Sequence, residues 1–180
     1  PTVSVSVSPT TLCSGDSATF TFTGTPNATV TYNINGGANQ TIVLNGTGTA
    51  TLTGTYTANT TINIISVASS GTPSCVNPQT SSTTLIVVEP PIAGTNASTT
   101  ICILNPSFDL FPLLGPTAQS GGTWSPALAS GTGVFNSAVD TAGTYIYTIL
   151  GTTPCPPASA SVEVIVNPIP DAGSDGTLTI

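Results

Sequence analysis

The 180-residue chain contains no lysine, arginine, histidine or methionine. Its seven charged residues are all carboxylates and make up 4% of the sequence, against about a quarter in an average soluble domain. Each absence excludes a class of chemistry. Without lysine and arginine no surface can neutralise phosphates, so nucleic acid is not a partner, and docking on an anionic membrane is excluded for the same reason. Without histidine there is no imidazole general base and no Ser/His/Asp triad. The chain therefore reads as not an enzyme, and no cofactor or metal is expected. No apolar run approaches the roughly 20 residues of a membrane helix, so no membrane insertion is expected. No signal-peptide pattern opens the sequence, so in a secreted protein these residues are expected to be mature or interior sequence. Trypsin-like proteases find no cleavage site in it, which suits an extracellular location at the cell outer surface.

What is present points to strands. The formal net charge is -7. The sequence pI is about 4.1, and the mean hydropathy of +0.33 separates the chain from disordered polyelectrolytes. Threonine alone occurs 35 times. Threonine, valine and isoleucine favour strands, whereas glycine, proline and asparagine favour turns. Strong helix formers are missing or scarce. The fold class predicted is all-β.

The chain repeats itself. Residues 93–101 read AGTNASTTI and residues 172–180 read AGSDGTLTI. Each follows a strand-like run that ends in proline, Leu85–Pro91 and Val162–Pro168. This predicts tandem modules at 1–89 and 90–168, with the truncated start of a third at 169–180. The parent protein is expected to continue, with a cysteine at or near the next position, as Cys102 follows Ile101. Modules of this size fit immunoglobulin-like β-sandwiches of about seven strands.

In the first module, Val3–Val7, Ala18–Phe22, Val30–Ile34, Thr41–Leu44, Ala50–Leu52, Ile62–Ile65 and Leu85–Val88 are predicted strands. Asn35-Gly36 and Asn45-Gly46 between such runs carry the hairpin signal. In the second module, Phe108, Leu110, Phe111, Leu113, Leu114, Trp124, Leu128, Val134 and Phe135 are the predicted core, and the last strands run from Thr144 and Ser161.

Four cysteines fall two per module. Their matching positions read as one disulfide in each, Cys13 with Cys75 and Cys102 with Cys155, and imply an oxidising compartment. Without CxxC spacing or histidine, zinc is disfavoured. Asp140-Thr141-Ala142-Gly143-Thr144-Tyr145 has the form of a tyrosine corner, which makes Asp140 and Tyr145 architectural. Trp124 is read as the core tryptophan of a sandwich rather than a carbohydrate platform. The carboxylates Asp16, Glu89, Asp109, Asp140, Glu163, Asp171 and Asp175 are scattered, with no facing pair as a glycosidase requires. A calcium site would have to use Glu89 or Asp171 with Asp175, and no EF-hand motif is present. Threonine arrays such as Thr47–Thr57 lack the fixed short period of an ice-binding face and read as strand surface.

Several segments resemble the repeated modules of giant Bacteroidetes cell-surface adhesins, the SprB-like gliding-motility adhesins. These segments are Ala93-Gly94-Thr95, Gly121–Phe135, Asp140–Tyr145 and the late Cys155, with Cys13–Asp16, Tyr32–Gly37 and Ser74-Cys75 less specifically. The resemblance implies export by type IX secretion. It also implies a stalk segment that supports attachment and gliding. Its partners would be neighbouring modules of the same chain, with surface polysaccharide or substratum reached through other parts of the protein. Because Bacteroidetes attach O-glycans at Asp-Ser/Thr before a small residue, it makes Ser17 and Thr141 candidate O-glycosylation sites. The alternatives are spacer modules of a secreted polysaccharide-degrading enzyme and a pilus or surface-layer subunit. The latter would need a donor strand, for which Val3–Val7 is the candidate.

Overall fold

Val3, Phe20, Phe22, Val30 and Tyr32 recur at the two-residue period of a strand, and all of them point inward. A computed structural model of the protein describes residues 1–103 and 107–168. It is built of strands. The described chain divides into two units: unit 1 is Pro1–Pro90 with Thr152–Pro156, and unit 2 is Pro91–Gly151 with the chain from Pro157. The expected third module, 169–180, lies outside the described residues, as do Asp171 and Asp175.

Unit 1 contains β1 (Val3–Ser8), β2 (Thr11–Cys13), β3 (Ser17–Gly24), β4 (Thr29–Ile34), β5 (Gln40–Val43), β6 (Thr49–Thr55), β7 (Thr60–Ala68), β8 (Val76–Pro78) and β9 (Ser82–Val88). One sheet has the order β1-β3-β6 and the other β2-β9-β7-β4-β5, with β8 added to β7. Their inner faces meet in a single core, in which Phe20, Phe22, Val30, Ile62, Val67 and Leu85 are fully buried. Phe22 on β3 lies 5.1 Å from Tyr32 on β4, ring centre to ring centre, and this pair joins the two sheets, while Phe20 packs 5.8 Å from Tyr56, just past the end of β6. Seven of the strands coincide with the runs read from the sequence. Two short ones, β2 and β8, do not, because three residues carry no readable alternation.

The run Ile62-Asn63-Ile64-Ile65-Ser66-Val67 breaks the alternation at Ile64-Ile65. Opposite it the register of β4 slips, Thr31 facing Ser66 and Tyr32 facing Ile64. Ile65 is the extra residue of this bulge and is partly exposed, so Val67 returns to the core.

The two Asn-Gly signals have different outcomes. Asn35-Gly36 closes the β4–β5 hairpin. Both residues have positive φ, +52° and +74°, and Gly37 N–H donates to Ile34 O at 2.9 Å, as a type I′ turn requires. Asn45-Gly46 does not make a hairpin. β5 pairs with β4 and β6 with β3, so this turn carries the chain from one sheet to the other. The Asn45 Oδ1 holds it by accepting hydrogen bonds from the backbone N–H groups of Thr47 (3.0 Å) and Thr49 (2.9 Å) and from both hydroxyls.

Unit 2 contains β10 (Ala97–Cys102), β11 (Phe108–Asp109), a 3-10 turn at Phe111–Leu114, β12 (Thr123–Ser125), β13 (Val134–Phe135), β14 (Gly143–Ile149) and β15 (Ala158–Asn167). The sheet order is β10-β15-β14-β12, against a small β11-β13 pair. Leu110, Leu114, Phe135 and Val162 are fully buried. Of the residues predicted for this core, Phe111, Leu113 and Trp124 are half-buried at its margin, and Phe108 is exposed.

The two units share one strand scheme. In unit 1 the short β2 runs parallel to the last strand, β9, which is antiparallel to β7. In unit 2, β10 runs parallel to β15, which is antiparallel to β14. An early strand parallel to the last, β2 in unit 1 and β10 in unit 2, is the closure of an immunoglobulin-like sandwich.

Candidate functional site

The cysteines are the first chemistry-bearing residues to place. Cys13 is bonded to Cys155, 142 positions apart in sequence, and both are buried. Cys75 and Cys102 are free and exposed. The expected pairs Cys13–Cys75 and Cys102–Cys155 are therefore not formed. The strand scheme gives the reason. Cys13 faces Val88 at the far end of β9, beyond the Thr60 end of β7, whereas Cys75 precedes Val76, which faces Ala68 at the other end of β7. Eight steps along β7 separate those ends by about 26 Å, against the under-7 Å Cα separation that a disulfide needs. In unit 2, Cys102 faces Asn167 at the end of β15, while Cys155 precedes its start at Ala158, about 30 Å away by the same rise per residue. Cys155 sits in the connection between β14 and β15, in the segment that belongs to unit 1.

Asp140 and Tyr145 stand at the entry to β14. The Tyr145 hydroxyl donates to Thr141 O at 2.7 Å. Asp140 accepts from the backbone N–H of Ala129 through Oδ1 and of Asn136 through Oδ2, both at 2.8 Å, and so ties two loops to the strand entry. Burial pushes the Tyr145 hydroxyl above the ordinary tyrosine range; the Asp140 carboxylate adds to the rise and a hydrogen bond with the Thr141 side chain opposes it. Burial, with Tyr32 nearby, raises Tyr56 in the same direction.

Trp124, on β12, stacks at 5.2 Å and 51° on Tyr147. The Tyr147 hydroxyl accepts from Gly122 N–H at 2.7 Å and donates to Gln119 O at 2.8 Å. Open hollows of about 250 and 260 Å³ flank the indole, bordered mainly by glycine, threonine and alanine, with Asp109 at one rim. The Asp109 Oδ1 is engaged, accepting from Phe111 N–H at 3.0 Å. No group in these hollows is placed to act as an acid-base pair.

Ser17 opens β3 and is exposed; Thr141 is exposed in the turn before β14. The threonine faces pair their hydroxyls across strands: Thr19 with Thr53 at 2.8 Å, Thr61 with Thr84 at 2.9 Å, and Thr148 with Ser159 at 2.9 Å. Such pairs stabilise a sheet surface without charge. Among the described residues no three His, Cys, Asp or Glu side chains gather as metal ligands, and no helix is long and apolar enough to cross a membrane.

Fold and site together define a class: an all-β protein of tandem immunoglobulin-like β-sandwich units, with its covalent chemistry in its cysteines. No protein-family model matches the chain, and no curated protein matches it. Among solved structures, it is similar to a Ca2+-stabilized adhesin with which an Antarctic bacterium reaches out and binds ice, at 18% identity and a TM-score of 0.47, over 96% of this chain and 50% of that one. It is also similar to a 1.5-MDa bacterial ice-binding adhesin, at 13% identity and a TM-score of 0.45, over 91% of this chain and 64% of that one. A third likeness is to the titin domains z1z2 in complex with telethonin, at 17% identity and a TM-score of 0.30. The chain thus spans half the length of the first of these and under two thirds of the second.

Proposed function

We propose that this chain is a stalk segment of a large extracellular surface adhesin, in which repeated sandwich units extend the protein from the cell. The observation that carries the reading is the recurrence of one strand scheme in two successive units, each with an inward apolar core. The lack of any cationic side chain and the buried disulfide add support, since both suit exposure to proteases in an oxidising medium. The resemblance of Gly121–Phe135 and Asp140–Tyr145 to SprB-like Bacteroidetes modules extends the proposal to gliding motility, to type IX secretion and to O-glycans on the exposed Ser17 and Thr141. The donor strand that a pilus subunit would lend is engaged here: β1 pairs along its full length with β3.

The test is immunogold electron microscopy of the source cells with an antibody against unit 2, alongside a blot for parent size. Label along thin surface filaments on a very large protein is the expected result. Label on a modest-sized secreted protein would overturn it in favour of spacer modules beside a catalytic domain.

A further inference from the structure

Cys102 occupies the same place in unit 2 that Cys13 occupies in unit 1. Each is the last residue of the strand parallel to the closing strand, facing Val88 in one case and Asn167 in the other. The next residue repeats the match: Ser14 N–H donates to Val88 O at 2.8 Å, and Ile103 N–H to Asn167 O at 3.1 Å. Cys75 likewise corresponds to Cys155. Each lies in the connection leading from the penultimate long strand, β7 or β14, toward the closing strand, β9 or β15. Ser69 holds the Cys75 turn: its N–H donates to Cys75 O and its Oγ accepts from Cys75 N–H, both at 3.0 Å. The first member of one such pair, Cys13, is bonded to the second member of the other, Cys155. The two left over, Cys75 and Cys102, are exposed thiols of complementary type. Neither can pair with the cysteine matched to it in its own strand scheme, Cys75 with Cys13 or Cys102 with Cys155, because those positions lie at opposite ends of the strands, about 26–30 Å apart.

We propose that Cys75 and Cys102 are the open ends of a head-to-tail disulfide series. Cys102 is the acceptor for the loop cysteine of a further unit of this scheme, and Cys75 the loop cysteine offered to another unit's parallel-strand cysteine. A second copy of this chain carries both complementary positions. The oxidant is a small-molecule disulfide such as glutathione disulfide. The thiolate of Cys75 attacks it and releases one glutathione thiolate. The thiolate of Cys102 from the other unit then attacks the Cys75 sulfur of the mixed disulfide and releases the second. Two thiols lose their protons, one S–S bond forms, and two electrons reduce glutathione disulfide to two glutathione thiols. The inference rests on strand equivalence within this chain and stands whether or not the adhesin reading does.

The test mixes ordinary and isotopically heavy chain in a glutathione redox couple and maps linked peptides by mass spectrometry after cleavage at aromatic residues, since trypsin has no sites. The expected product is a ladder on a non-reducing gel, with Cys75–Cys102 links between heavy and light chains about tenfold above the links joining like cysteines, and with Cys13–Cys155 intact in every rung. Cys75→Ser and Cys102→Ser each leave monomer under the same conditions, while the two variants mixed together give a dimer. Random oxidation predicts mixed and like links in the ratio of about two to one to one, with both single variants dimerising as readily as the parent. That result, or Cys75–Cys102 links confined within one chain, or no linkage at all, overturns the proposal.

Discussion

At the scale of the residue, the turn before β14 concentrates the polar side chains that the architecture depends on. Asp140 satisfies two backbone donors with its two carboxylate oxygens. A hydrogen bond to a charged group contributes about 1.5–3 kcal/mol when buried and less at a half-exposed site, so Asp140→Ala is expected to cost about 2 kcal/mol in urea unfolding. Asp140→Asn, which keeps one acceptor, is expected to cost less. The same corner has a pH dependence. Tyr145 is harder to ionise in the fold than in the unfolded chain, because burial and Asp140 both oppose the phenolate. Its contribution to stability is therefore fully present below the unfolded value of about 10 and is lost as pH rises above it. Denaturant midpoints measured across that range are expected to fall with rising pH, and Tyr145→Phe to flatten the fall. An equally steep decline in the variant would assign the effect to other groups.

At the scale of the element, most strands were legible because alternation is a property of neighbouring residues. Val3-Ser4-Val5-Ser6-Val7 and Ala18-Thr19-Phe20-Thr21-Phe22 have one face apolar whatever lies opposite, and they form β1 and β3. Asn35-Gly36 was legible for the same local reason. Asn45-Gly46 was misread because a turn signal states that the chain reverses, not which sheet it enters next. The bulge at Ile65 was visible only as a broken period. Gly122 shows how a partner decides a residue: a Cβ there would sit 2.5 Å from the Tyr147 ring and 2.6 Å from Thr148 O. Gly122→Ala is thus expected to displace Tyr147 and Trp124 and to cost about 1–3 kcal/mol, an overpacking penalty. Tryptophan fluorescence and the unfolding midpoint report both effects.

At the scale of the whole molecule, the disulfide dominates. Bonding residues 142 positions apart removes much of the freedom of the unfolded chain. Chain entropy sets the gain at up to about 5 kcal/mol for a loop of this length. Reduction, or the paired change Cys13→Ser with Cys155→Ser, is expected to lower the unfolding midpoint accordingly, while Cys75→Ser leaves it in place. A midpoint that reductant does not move would remove the cross-link from the account of stability.

By themselves, the residues determined the class of this protein. These 180 residues hold no cationic side chain, and the period-two pattern with threonine on the outer face made an all-β chain the outcome. The repeated AG…TI segment carried the expectation of tandem modules, and its second copy lies outside the described residues. Which cysteine bonds which was decided only in three dimensions. Spacing along the chain counts residues, whereas a disulfide depends on which strand ends come together. An early strand running parallel to the closing strand places Cys13 and Cys75, and likewise Cys102 and Cys155, at opposite ends of their strands. No local pattern records that parallel pairing, because it joins segments more than 60 positions apart, as Thr11 faces Ile86 and Ala97 faces Val162.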